Sequence, residues 1–202
     1  MSCMNIRNII LTAFMVFLWP ATASAHLVST GFGPFYDGIT HLAMSPDDLL
    51  GVLAIGLLSG LLGAQHGRVT LFALPLTWLI GGVIGLQFEI EISLPVLSAI
   101  SFLIVGMLVA ADKKLPLAFI YGLAMVLGLL HGFLNGTAMA QAGGGFLALF
   151  GISVAVFVLV ALLAALVVSL RAQWARITVR VAGSWITAIG LLMLGWTYRG
   201  MG

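Results

Sequence analysis

The sequence predicts an all-α protein, a polytopic membrane helix bundle of about six transmembrane helices behind a cleavable signal peptide. Three observations predict it. Of 202 residues, 62% are hydrophobic and only 7% charged, whereas soluble domains carry about 25% charged residues. Apolar segments long enough to cross a hydrocarbon core of about 30 Å recur along the whole chain. The polar breaks between them are short: Gly67-Arg68, Gln87 to Glu91, Asp112-Lys113-Lys114, Thr137 to Gly145 and Arg171 to Arg180. Such connections leave no room for a soluble domain. A net charge of +2, with no basic patch interleaved with aromatics, excludes a nucleic-acid partner. The single cysteine, Cys3, falls in the signal, so the mature chain has no thiolate ligand, disulfide or cysteine nucleophile.

Residues 1–25 read as the signal: Arg7 is the positive region, Ile9 to Trp19 the apolar core, and Ala23-Ser24-Ala25 the small-residue cleavage pattern. An uncleaved anchor is the alternative, and either way His26 faces the far side of the membrane. Cleavage after Ala25 would expose His26 as the N-terminus, where its amine and imidazole form a bidentate metal ligand. Residues 26–202 form a single transmembrane domain, with spans at about 48–66, 69–87, 92–111, 116–137, 145–170 and 177–197. The second is interrupted by Pro75 and by Gly81 to Gly85. Orientation follows from the loop cations. With the mature N-terminus outside, Arg68, Lys113, Lys114, Arg171, Arg176 and Arg180 are cytoplasmic, and only Arg199 lies outside, with the acidic Glu89–Glu91 loop. Gly128, Gly132 and Gly136 line one face of the fourth span, and Gly56, Gly60 and Gly63 nearly do so in the first. Small residues let membrane helices approach, so these two spans are expected to pack on each other or on a common neighbour.

Two polar clusters stand out. From Tyr36 to Leu50 the chain carries Asp37, His41, Asp47 and Asp48 just before the first span. Ser45-Pro46-Asp47-Asp48 is also a good helix start, with Ser as N-cap, Pro in the first turn and acids on the helix dipole. That does not account for His41 or Asp37. An imidazole and carboxylates at the outer mouth of a bundle suit a divalent cation. The second cluster is His131 and Asn135, one helical turn apart and on one face. At 1.5 Å per residue, His131 lies roughly 22 Å beyond Pro116, within reach of the first cluster. A neutral histidine bonded to a neighbouring carbonyl is the plainer reading of His131 alone. His66 is expected at the inner end of the first span, about 27 Å from Asp48 and too distant to join it.

These residues resemble the HupE/UreJ family of nickel and cobalt permeases, small membrane proteins with a cleavable signal, about six spans and two histidine motifs. The first motif reads His, five residues, Asp-His; His41 and Asp47 fit it, and Asp48 replaces the final histidine. The second reads Phe-His-Gly, two residues, His-Gly, one residue, Glu. In Leu130 to Ala138 it is matched at His131, Gly132 and Gly136, with Leu130, Asn135 and Ala138 as departures. Leu71 to Leu76, after Gly67-Arg68, also looks like the family's second span. The departures make the donor set harder and more oxygen-rich, since Asp and the Asn carbonyl replace imidazoles.

The resemblance implies a membrane permease, not an enzyme, that binds a divalent transition-metal ion, nickel or cobalt, at its periplasmic face and passes it inward for metalloenzyme maturation. The metal is then substrate and no prosthetic group is expected. His41, Asp47, Asp48 and His131 are the expected ligands, Asn135 an oxygen donor, and His26 and Asp37 entrance ligands. The expected location is the bacterial inner membrane. Expected partners are the bilayer, the ion, metallocentre assembly proteins of hydrogenase or urease type, and a second copy of the chain. The alternative is a non-transporting metal-binding or assembly subunit of a membrane or periplasmic metalloenzyme. It stays open because the inner half offers little polarity beyond Ser59, Gln65, His66 and a few hydroxyls. An intramembrane hydrolase is disfavoured by the lack of Gly-x-Ser-x-Gly and His-Glu-x-x-His.

Overall fold

A computed structural model describes residues 30–88 and 92–200. Among them every regular element is a helix: α1 Pro34–Met44, α2 Pro46–Leu62, α3 Ala64–Gly85, α4 Pro95–Ala111, α5 Leu117–Gln141, α6 Gly145–Ser169 and α7 Gln173–Gly200. The predicted signal, His26 and the Glu89–Glu91 loop lie outside the described residues. α3, α5, α6 and α7 are long and apolar enough to cross a membrane. α1 and α2 meet that test only together, as a pair bent by 78°, and α4 is a shorter apolar helix of 17 residues. At 1.5 Å per residue, 17 residues extend about 26 Å, slightly less than the hydrocarbon core.

Three features differ from the sequence reading. The break between the first two long helices is at Gly63, with φ 109° and ψ 174°, a backbone state open to glycine and strained for other residues. Gly67 and Arg68, expected as the break, lie inside α3, with Arg68 exposed at the surface. His66 consequently opens α3 instead of closing α2, and its Nε2 lies 3.2 Å from the Leu115 carbonyl oxygen. Pro75, expected to interrupt the second span, sits within a continuous 22-residue helix. Membrane helices tolerate this because neighbours re-satisfy freed backbone groups. α1 was not expected as a helix at all.

α3 packs along α5, α4 along α7, and both α1 and α2 against α6. The α3–α5 contact is the most extensive. A Cβ on Gly132 would run into the Trp78 backbone carbonyl, so only glycine allows that approach. The two glycine stripes face different partners: Gly56 and Gly60 lie against Leu163, Val167 and Ala164 of α6, while Gly128, Gly132 and Gly136 lie against α3. α2 and α5 each touch α3 and α6 and are joined to each other through Asp48. α1 is seated on α6 by backbone contact at Gly38 with Ala148 and at Gly151 with Phe35.

The helix ends bearing most cations meet at one pole. Arg176 makes a bidentate pair with Asp112, both contacts at 2.6 Å, and lies 3.4 Å from the Leu61 carbonyl oxygen. Arg180 donates to the Ala110 carbonyl. At the opposite pole the Ile92 N–H donates to the Thr137 hydroxyl, and α1, the start of α2 and the end of α5 come together.

Candidate functional site

The α1–α2 corner sets the site. The residue before a proline is disfavoured in the helical region; Ser45 takes φ −96° and ψ 97°, and α2 starts at Pro46. The Ser45 N–H still donates to the His41 carbonyl at 2.9 Å, so the chain turns without a loop. Ser45 occupies the N-cap position expected of it, but its hydroxyl makes no cap bond and lies 3.3 Å from His41 Nε2. Asp47 and Asp48 fall in the first turn of α2, at the positive end of its dipole.

Asp48 turns inward and is 5% exposed. Its Oδ1 accepts from His131 Nδ1 at 2.7 Å, and its Oδ2 accepts from Asn135 Nδ2 at 2.8 Å. The Asn135 amide also donates to the His131 carbonyl at 2.8 Å. An ionised carboxylate has no proton to give, so Nδ1 is the donor. The Ser101 hydroxyl donates to the Ser98 carbonyl oxygen at 2.7 Å, and its oxygen lies 2.9 Å from His131 Nε2. Trp78 stacks on the imidazole with centroids 5.5 Å apart and planes at 25°. Both faces of the arrangement are thus fixed: one ring nitrogen orients the carboxylate, the other is tied to α4, and the ring is held flat by Trp78.

Beside this network lies a cavity of about 170 Å³, lined by His41, Asp47, Asp48, Ser98, Asn135 and the Ile92–Pro95 segment. Two of its polar groups have unused capacity. The Asp47 carboxylate accepts from the backbone N–H groups of Asp47 and Asp48 and has no side-chain hydrogen-bond or ion-pair partner among the described residues, and Asn135 Oδ1 is buried with no hydrogen-bond partner. A buried carbonyl oxygen without a donor costs about 1–3 kcal/mol, a cost that a cation in the cavity would offset. Among the described residues no three His, Cys, Asp or Glu side chains converge as a metal site on their own. A cation here would need amide and hydroxyl oxygens as well as Asp47, Asp48 and His41.

The expected residues therefore separate into layers. His41, Asp47, Asp48 and Asn135 line the cavity. His131 does not; it stands behind Asp48 with both ring nitrogens engaged, as a partner that orients a ligating carboxylate would. Asp37 is away from the cavity, where its Oδ1 accepts from the Thr30 N–H and hydroxyl, both at 2.6 Å. His66 is at the cationic pole, as its separation from Asp48 required. Ser101 and Trp78 were missed. Ser98 and Ser101, one turn apart in an otherwise apolar segment, were the available signal for the first; nothing local marks Trp78 as the ring facing His131.

Comparison with curated proteins and with solved structures returns no match. A family model described as HupE / UreJ protein matches residues 13–193, nearly the whole chain, including both polar clusters and all the long helices except the end of α7. The chain belongs to the HupE/UreJ family.

Proposed function

We propose that this protein is a permease that admits nickel or cobalt to the cavity between α1, α2 and α5 and passes it inward for metalloenzyme maturation. Its family is associated with nickel and cobalt transport for that purpose, and its members are transporters rather than enzymes. The observation that carries the reading is the buried, partnerless Asn135 Oδ1 beside Asp47 and Asp48 in one cavity.

In this reading Asp47, Asp48 and the Asn135 carbonyl supply oxygen ligands, and His41 supplies the imidazole by turning from Ser45. His131 holds Asp48 in place, so the carboxylate need not reorganise when the ion arrives. The bundle makes six passes, α2 to α7, with the cationic pole in the cytoplasm of a bacterial inner membrane. The mature N-terminus and the cavity are then periplasmic. No nucleotide-binding motif is present, so the driving force is the membrane potential, about 2.3 kcal/mol per charge per 100 mV. Delivery inside falls to metallocentre assembly proteins. His26 and Asp37 serve capture, and the permease pairs with a second copy of itself.

The test is uptake of nickel, cobalt, zinc, copper and manganese by proteoliposomes, with Asp47→Ala in parallel. Saturable uptake of nickel or cobalt, lost in the variant, is expected. Tight binding without uptake would replace the permease by a metal-holding accessory subunit. The restricted set of buried polar side chains toward the cationic pole, Ser59 and Thr70, favours that second reading. Neither binding nor uptake would remove both.

A further inference from the structure

At the cationic pole a groove of about 340 Å³ runs between α3 and α6. Its walls are Gly67, Leu71, Ala161, Ala164 and Ala165, and its one charged lining residue is Arg68. Gly67 brings the helices together at its floor: a Cβ there would sit 3.2 Å from the Ala164 Cβ. One turn further along the same helices, Phe72 and Phe157 pack ring to ring at 6.0 Å. Arg68 is exposed and has no hydrogen bond or ion pair among the described residues. The nearest described acid at this pole, Asp112, is held by Arg176. A groove with small apolar walls and an uncompensated guanidinium beside them matches an acyl chain with a phosphate at its head.

We propose that this groove binds one anionic phospholipid, its chain between α3 and α6 and its phosphate on Arg68. Arg68 supplies fixed, planar donors suited to a phosphate. Its neighbours Lys113, Lys114 and Arg171 are exposed at the same pole and raise the local positive potential. A membrane leaflet rich in anionic lipid meets that pole with complementary charge. The site is independent of the metal cavity, which lies at the other end of the bundle.

The test titrates the full-length protein in a mild non-ionic detergent with phosphatidylglycerol, with phosphatidylcholine of the same chains, and with glycerol phosphate. Adducts are counted by native mass spectrometry, and melting is followed in parallel. One phosphatidylglycerol per chain is expected, bound about fivefold or more tightly than phosphatidylcholine, the worth of one basic side chain at an anionic surface. Arg68→Gln should erase that preference, and Arg68→Lys should retain most of it. Ala165→Leu, which fills the groove from an exposed position, should weaken both lipids, while Arg199→Gln at the other end should leave both unchanged. Equal affinity for the two lipids, a preference that survives Arg68→Gln, or unchanged binding in Ala165→Leu would overturn the proposal. Binding of glycerol phosphate alone at comparable strength would reassign the site to a free phosphate.

Discussion

Removing the Asp48 carboxylate separates what that group does for the fold from what it does for a cation. Asp48→Ala strands two buried donors, His131 Nδ1 and Asn135 Nδ2, which now bond to it at 2.7 and 2.8 Å. Hydrogen bonds between membrane helices average about 0.6 kcal/mol and reach about 1.7. Two short bonds to a buried charge belong near the top of that range, so a loss of about 3 kcal/mol is expected. Asp48→Asn should behave differently. Its new amide can donate to His131 Nδ1 while Nε2–H donates to the Ser101 oxygen, and its carbonyl can still accept from Asn135. The network is re-satisfied, and stability should stay within about 1 kcal/mol of the unaltered protein. Metal affinity should nonetheless fall by about tenfold or more in Asp48→Asn, because a charged oxygen ligand becomes a neutral one. The assay is a pair of measurements on each variant in detergent: reversible unfolding for stability and calorimetric nickel titration for affinity. If Asp48→Ala and Asp48→Asn lose the same stability, the hydrogen-bond reasoning is wrong. If Asp48→Asn keeps its nickel affinity, Asp48 is not a ligand.

Asp47→Asn should be neutral or slightly stabilising without metal, since its carboxylate has no side-chain partner to lose. It should also forfeit the metal-dependent stabilisation, about 2.7 kcal/mol at a free-ion concentration one hundred times Kd, as read by melting with and without nickel. Gly132→Ala drives a Cβ into the Trp78 carbonyl and should cost about 1–3 kcal/mol by overpacking, whereas Gly122→Ala, which meets nothing within 4 Å, should change the melting point little. Asp112→Asn removes the bidentate pair with Arg176, but Arg176 is half exposed, so a loss under about 1 kcal/mol is expected from the unfolding curve.

Much of this architecture can be read in the chain because hydrophobicity and helix-start chemistry are local. Pro95 begins α4 and Gly145 begins α6 close to where the apolar runs suggest, and His41, Asp47, Asp48 and Asn135 do line one cavity. The failures have physical causes. Gly63 and Gly67 are equally glycine in the sequence, and only the backbone state at Gly63 shows which one breaks the helix. The eleven-residue α1 is too short to read as a span; it sits against α6 through Gly38 with Ala148 and Phe35 with Gly151, partners 110 and 116 residues apart. Likewise His131 reads in sequence as a candidate ligand within a span, while its fate is decided by Asp48 and Ser101 on two other helices. Distance along the chain hides such partners, and the network is legible only once the helices are placed.

The most direct test of the metal cavity is X-ray absorption of the nickel-loaded, full-length protein. The cavity is lined by Asp47, Asp48, Asn135 and Ser98 with His41 as its one imidazole among the described residues. The expected shell therefore has oxygen outnumbering imidazole nitrogen. An imidazole-dominated shell would contradict the layered arrangement, because His131 would then have to leave Asp48 and Ser101 to bind the ion.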